Sequence, residues 1–180
     1  MEQLNPVQQH PQKQNKMRKY SLKVETEHTA RAMGVNLPIS RKNAIEICNF
    51  IRSRNTEKAK KILKNTIEMK QPIPFTRFNW NVGHRRGKMA SGRYPIKASE
   101  QILRLIDQVE TNAQDKGLDT NNLVIRHINA HKGETAWHFG RKRRRRMKRT
   151  NLEIIVEEKE SKKENHKETR KQTKGDKNKK

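Results

Sequence analysis

The sequence predicts an α+β fold in which three helices pack on a small three-stranded antiparallel sheet and a long basic β-hairpin projects from it. Three observations lead to this class. Three central stretches repeat apolar residues at helical spacing, and β-branched residues alternate with polar ones on either side of them. A Gly- and Arg-rich stretch then separates the last two strand candidates, as expected for a hairpin with a basic projection.

Composition divides the chain into a body and two tails. Residues 1–16 are Gln-rich with two prolines, and residues 159–180 are Lys-rich without a large apolar side chain. Neither can bury enough apolar surface to offset the entropy lost on ordering, so a disordered extension and a disordered tail are predicted. Residues 17–158 form the predicted domain, with residues 123–158 as its hairpin arm.

The first two helices follow residues that commonly cap helix N-termini. The first begins after Ser40, and its apolar stripe contains Ala44, Ile47, Cys48 and Ile51. The second begins at Asn55 or Thr56 and is stopped by Pro72 and Pro74, and its stripe contains Ala59, Ile62, Leu63 and Ile67. Cys48, the single cysteine, is therefore predicted to lie in the core and cannot form an internal disulfide.

A third, longer helix is predicted to end at Gly117, because glycine readily adopts the left-handed conformation that follows a helix. Its stripe contains Ala98, Ile102, Leu105, Ile106, Val109 and Ala113.

Strands are predicted near both ends of the body. The alternating residues are Leu22 and Val24, then Leu123, Ile125 and Ile128, and finally Leu152, Ile154 and Val156. If residues 123–158 fold at their middle, each arm of the hairpin has 18 residues. At the rise of an extended strand, such an arm reaches up to about 60 Å.

The charge indicates the class of partner. The chain has 43 Lys and Arg against 19 Asp and Glu, a net charge of +24. The tails carry +1 and +6, which leaves +17 on the body. A field this positive attracts polyanions, and nucleic acid is the commonest one. The sequence shows no membrane span and no signal peptide, so a cytoplasmic location without a membrane partner is expected.

The strongest local feature is a run in which eight of nine residues, 141–149, are Lys or Arg. Arginine forks suit phosphate oxygens and also stack on bases, so the run is predicted to bind RNA. The predicted RNA-binding residues of the arm are His131, Lys132, Arg141, Lys142, Arg143, Arg144, Arg145, Arg146, Lys148 and Arg149. The aromatic residues just before the run either stack on bases or pack against the protein.

A second basic region spans residues 75–97 and contains no acid. Its glycines allow close backbone approach to phosphates, and Trp80, His84 and Tyr94 offer hydrogen bonds or stacking. The alternative is an ordinary solvated loop. The predicted RNA-binding residues here are Arg77, His84, Arg85, Arg86, Lys88, Arg93 and Lys97.

Enzymatic chemistry is not supported. His127 and His131 lie four residues apart, about 13 Å along a strand, which is too far to share a metal ion. No catalytic motif is present, and no cofactor, metal or small-molecule substrate is expected.

Several motifs resemble the archaeal and eukaryotic version of the ribosomal large-subunit protein twenty-two family. In chain order they are TARA at 29–32, ISRKNAIEIC at 39–48, PIPF at 72–75, VGHRR at 82–86, GRYPIKA at 92–98, NA at 112–113, GLD at 117–119, HI-x-A at 127–130 and TNLEIIVEE at 150–158. They are nearly colinear with the family from about Tyr20 to Glu158.

The resemblance implies three helices on a three-stranded sheet, placed on large-subunit ribosomal RNA near the mouth of the polypeptide exit tunnel. It adds Ser40, Arg41 and Lys42 to the residues expected to meet RNA. It also implies that the hairpin lines the tunnel, where it would meet the nascent polypeptide beside neighbouring ribosomal proteins. The tunnel-lining residues would be Trp137, His138, Phe139, Gly140, Arg141 and Arg143.

One departure from the family lies in the hairpin, where a P-R-A-x-G-R-A block is usual and Gly140 here leads directly into the basic run. The function expected is that of a structural constituent of the large ribosomal subunit that also supports its assembly. The alternative is a free basic nucleic-acid-binding or DNA-compacting protein, which would use the same charge without a fixed RNA site.

Overall fold

The structure is a computed structural model that describes residues 20–23 and 27–159. The strands are β1 (Thr29–Leu37), β2 (Ile73–Pro74), β3 (Gly92–Arg93), β4 (Leu123–Lys132) and β5 (Thr150–Glu158). The helices are α1 (Arg41–Ile51), α2 (Thr56–Ile67) and α3 (Ile96–Asp115), with short 3-10 turns at 120–122 and 140–142. The predicted extension, 1–16, and nearly all of the predicted tail, 159–180, lie outside the described residues.

The predicted α+β class is confirmed. The main sheet has the order β1-β5-β4 with both pairs antiparallel, and β2 pairs with β3 in a separate two-stranded ladder. Central strand β5 buries Leu152, Ile154 and Val156 completely, on the face that the helices cover. Helix α3 packs along β1 and β5, α1 packs on β4, and α2 packs on α3.

The predicted helical stripes form the core between the helices and the sheet, except that Ile62 and Ile67 of α2 lie outside the core cluster. Ser40 is the N-cap of α1, as predicted, although its side chain makes no capping hydrogen bond. Gly117 follows α3 with φ +75, and Leu118 N donates to Ala113 O at 3.0 Å, the pattern of a glycine-terminated helix. Cys48 is buried, and burial raises the pKa of its thiol to about 12.

The first predicted strand is wrong. Leu22 lies in a bend, Val24 is outside the described residues, and the edge strand is β1 instead. Strand β1 turns Ala30 and Ala32 toward the helices, and α3 packs along it. The buried apolar residues of this strand are both alanines, so its buried face lacks the large β-branched residues from which strands were predicted.

On the sheet face opposite the helices, a buried carboxylate collects several donors. Glu153 is 2% exposed, and Ser21 donates to it through both its backbone N–H and its hydroxyl. His127 Nε2 and His131 Nε2 each lie 3.0 Å from Glu153 Oε1. The backbone spacing of the two histidines is that of a strand, but their ring nitrogens are not held apart as expected. The side chains are long enough for both imidazoles to reach the same oxygen of Glu153.

This cluster makes the stability of the fold depend on pH. Burial acts to raise the pKa of Glu153, but the hydrogen bonds from Ser21, His127 and His131 outweigh burial and lower the pKa to about 2. A lowered folded-state pKa contributes stability that is present above pH 4.5, the usual value, and is lost as the pH falls toward about 2.

We therefore expect Glu153→Gln to lower the free energy of unfolding by about 2 kcal/mol at pH 7, since a neutral amide replaces a charge-assisted acceptor. The deficit relative to the wild type should shrink as the pH falls from 4.5 toward 3. Urea unfolding of both proteins across this range measures it. Glu157→Gln, on the same strand but more exposed, is the control and should change stability little. A deficit that stays constant with pH would contradict this account.

Candidate nucleic-acid interface

The first basic surface is the basic loop, residues 75–97, which connects β2 to α3 and contains β3. The loop has little regular pairing. His84 and Ser91 form an isolated β-bridge, and Arg85 N donates to Ala90 O. Its predicted RNA-binding residues Arg77, His84, Arg85, Arg86, Lys88, Arg93 and Lys97 are all exposed. Because the loop contributes little to the core, it needs a separate anchor to hold a defined shape.

That anchor is the buried carboxylate of Glu46, on α1. Its Oε1 accepts hydrogen bonds from Arg77 N at 2.9 Å and Phe78 N at 2.7 Å, and its Oε2 accepts from Thr76 N at 3.1 Å. The Thr76 hydroxyl donates to the same Oε2. Sequence reasoning missed Glu46, and the available signal was its position between apolar residues of the α1 stripe, where a charge must find partners.

We expect Glu46→Ala to lower the free energy of unfolding by about 3 kcal/mol, because it leaves three backbone N–H groups without their acceptor. We also expect weaker RNA binding, although the substitution makes the net charge more positive, because the loop loses its shape. Thermal unfolding and RNA titration measure the two effects.

The matched control is Glu68→Ala, which removes an acid that is paired only with exposed Lys70. It should leave stability nearly unchanged and RNA affinity equal or slightly higher. Tighter RNA binding by Glu46→Ala than by the control would show that charge alone, and not loop shape, governs recognition.

Aromatic rings hold several cations of the loop in place. The Arg85 guanidinium lies 5.4 Å from the Tyr94 ring centroid, and that of Arg93 lies 5.8 Å from Phe75. A guanidinium over a ring keeps its edge donors free for phosphate oxygens and loses less entropy when it binds. The loop therefore presents oriented cations.

The second basic surface is the projecting arm, residues 133–149, between β4 and β5. Beyond the sheet, backbone hydrogen bonds still join the two sides of the hairpin. Met147 N donates to Ala136 O at 2.8 Å, and His138 N donates to Arg145 O at 2.9 Å. The chain turns at residues 139–144, so the predicted reversal near the middle of 123–158 is confirmed. The part of the hairpin beyond the sheet is shorter than the arm predicted, because β4 and β5 belong to the core and only about 17–20 Å of extended chain remains on each side of the turn.

The base of the projecting arm is fixed to β1. Gly133 N donates to Arg149 O, and Asn36 Oδ1 accepts from Glu134 N at 3.1 Å. A Cβ at Gly133 would lie 2.9 Å from both the Arg149 carbonyl carbon and Asn36 Oδ1, so only glycine fits here. The arm thus leaves the sheet in a set direction.

The aromatic residues of the arm differ in their surroundings. Trp137 lies against Arg146, whose guanidinium carbon is 4.3 Å from its ring centroid, while the residue remains 56% exposed. Phe139 at the turn is 87% exposed and its ring is open to a partner. Stacking of these aromatic residues on bases stays a prediction.

The basic residues of the two surfaces are not neutralised within the part of the chain that the structure describes. The ion pairs there lie elsewhere, among them those of Lys60 on α2 with Asp107 and Glu110 on α3. The exposed predicted residues outside the loop are Arg41, Lys42, His131, Lys132, Arg141, Lys142, Arg143, Arg144, Arg145, Arg146 and Lys148. Ser40 and Arg149 are half-buried, and the imidazole of His131 is turned toward Glu153.

The structure brings together predicted residues from three segments. One cavity of about 360 Å³ is lined by Ser40 and Lys42 of α1, Arg77 and Arg93 of the basic loop, and Lys148 of the arm.

No group of His, Cys, Asp and Glu among the described residues has the arrangement of a metal site. Among the described residues, the helices lack the continuous apolar stretch that a membrane span requires.

These features define an α+β protein that presents unneutralised cations to a polyanion. Residues 32–157 match the family described as ribosomal protein L22p/L17e. The chain is similar to large ribosomal subunit protein uL22 of Methanocaldococcus jannaschii, with 42% identity over 147 residues, 78% of this chain and 94% of the relative. It is also similar to large ribosomal subunit protein uL22 of Archaeoglobus fulgidus, with 44% identity over 146 residues, 77% of this chain and 94% of the relative.

The chain therefore belongs to the ribosomal protein L22p/L17e family. It is a structural protein of the large ribosomal subunit and not an enzyme. Membership of the large subunit implies ribosomal RNA and other ribosomal proteins as partners. The alternative of a free or DNA-compacting protein is set aside by this membership.

Proposed function

We propose that the protein docks on several segments of large-subunit RNA at once through the basic loop and the projecting arm. We further propose that the arm lines the polypeptide exit tunnel and meets the nascent chain, with the globular domain near the tunnel exit. The observation that carries the docking proposal is the absence of intramolecular ion pairs at two cation-rich surfaces in the described chain, where the acids pair elsewhere.

Docking draws its free energy from phosphate neutralisation. Each phosphate contacted by Lys or Arg releases condensed counterions, so binding weakens steeply with salt. The two surfaces are rooted in different parts of the fold, the loop on α1 through Glu46 and the arm on the sheet, so one protein can hold separate RNA segments in a fixed relation. This geometry also supports RNA folding during subunit assembly.

The shape of the projecting arm supports the tunnel proposal. It is a two-stranded hairpin that leaves the sheet at a fixed base and ends in a turn with Phe139 exposed. A slender, cationic element of this kind can enter a passage walled by RNA, with Arg143 and its neighbours toward phosphates. An exposed ring at the turn is then available to a passing polypeptide.

A salt-dependence experiment tests the docking proposal. Replacing Arg143, Arg144 and Arg145 by Gln removes three cations from the arm, and the slope of log affinity against log salt for large-subunit RNA should fall in magnitude by about 2–3. The control replaces Lys58, Lys61 and Lys64 of α2, which are exposed and lie outside both surfaces. Equal effects of the two triple variants would contradict docking through the arm.

A crosslinking experiment tests the tunnel proposal. A photo-crosslinking phenylalanine analogue at position 139 should attach to a labelled nascent chain stalled on the ribosome, because the ring there is exposed at the turn. The same analogue at position 69, which is also exposed but lies outside the arm, is the control and should not reach the nascent chain. Crosslinks from position 139 to RNA or ribosomal proteins alone would contradict the tunnel proposal and leave docking standing.

A further inference from the structure

The cavity at the meeting point of α1, the basic loop and the projecting arm combines two kinds of group. Four of its lining residues are cations from three chain segments: Lys42, Arg77, Arg93 and Lys148. Aromatic rings complete the lining, among them Phe78 and Trp80. Acidic side chains are absent from the lining, so the cavity attracts an anion and offers nothing to repel it.

Phe78 and Trp80 differ in whether cations of the protein already contact the ring. Phe78 is already engaged, because Lys42 Nζ and the Arg77 guanidinium each lie 5.5 Å from its ring centroid. Trp80 is 87% exposed although indole is the largest aromatic side chain. No ring contact holds Trp80 within the described chain, so it is the ring that remains available for stacking.

The size of the cavity favours an unpaired nucleotide over an RNA duplex. Its volume of about 360 Å³ is near the lower end of the range, about 300–1,000 Å³, that holds a small organic molecule. A duplex presents phosphates on a broad convex surface with its bases stacked inside, so it cannot place a base in such a recess. An unpaired nucleotide presents a phosphate and a free base face together.

From this juxtaposition of cations and a free indole, we infer that the cavity binds one unpaired nucleotide of the RNA. Its base stacks on Trp80, and its phosphate is held among Lys42, Arg93 and Lys148. This inference rests on the proposed function, since it names the RNA element that the docking surface takes at this point. It adds selectivity for unpaired RNA to an interface whose other contacts are to backbone phosphates.

The test compares two single-stranded probes of about six nucleotides with the full chain: an RNA oligomer, and a ribose-phosphate oligomer of the same length that lacks bases. We expect Trp80→Ala to weaken binding of the RNA oligomer about 5- to 100-fold and to leave binding of the abasic oligomer unchanged within about twofold. Trp80→Phe, which keeps a ring, should retain most of the affinity. Met69→Ala, which truncates another exposed apolar residue outside both surfaces, is the control and should change neither affinity.

A second measurement follows the ring directly. In a Trp137→Phe background, Trp80 is the remaining tryptophan, and its fluorescence should be quenched by the RNA oligomer but not by an RNA duplex of the same length. The inference would be overturned if Trp80→Ala weakened binding of both oligomers equally or weakened binding of neither. Equal quenching of the fluorescence by duplex and single strand would also overturn it. Those outcomes leave salt-dependent docking intact, whereas a wild-type protein that binds none of the probes would contradict the proposed function itself.

Discussion

Strand β5 is the element on which the rest of the structure depends. It lies between β1 and β4, so it supplies backbone partners to both edges of the sheet. Its alternate residues complete the core beneath the helices, and Glu153 on its other face collects Ser21 and the two histidines. The projecting arm runs directly into this strand at Thr150, whose hydroxyl donates to Ile39 O at 2.9 Å. The direction of the arm is therefore set by the best-paired strand of the protein.

The fold separates the acidic groups that stabilise it from the exposed cations that we propose to bind RNA. Glu46 and Glu153 are buried and satisfied by backbone, hydroxyl and imidazole donors, so neither neutralises the cations of the loop or the arm. Asp107 and Glu110 are engaged by Lys60 between two helices. These four acidic residues thus stabilise contacts within the protein, and the loop and the arm keep their positive charge. In the proposed docking, RNA phosphates supply the negative charge that these surfaces lack.

The sequence predicts the parts of this protein that follow simple periodicity. The helices and strands β4 and β5 are marked by large apolar residues at regular spacing, and Gly117 marks the end of α3. Strand β1 was missed because Ala30 and Ala32 carry its apolar face, and small residues give a weak alternation signal. The basic surfaces were identified because charge density needs no fold to be recognised. The anchors Glu46 and Glu153 were missed because their donors are far away in sequence, and tertiary structure alone brings them together.

We propose that multiple phosphate contacts at two surfaces hold this protein in the large ribosomal subunit. The most direct measurement is sedimentation of a lysate through a sucrose gradient after a high-salt wash, with the protein quantified against large-subunit RNA. The account predicts about one copy per large subunit retained after the wash, because many contacts within folded RNA must break together for release. Release of the protein to the top of the gradient, under conditions that keep the subunit intact, would contradict it.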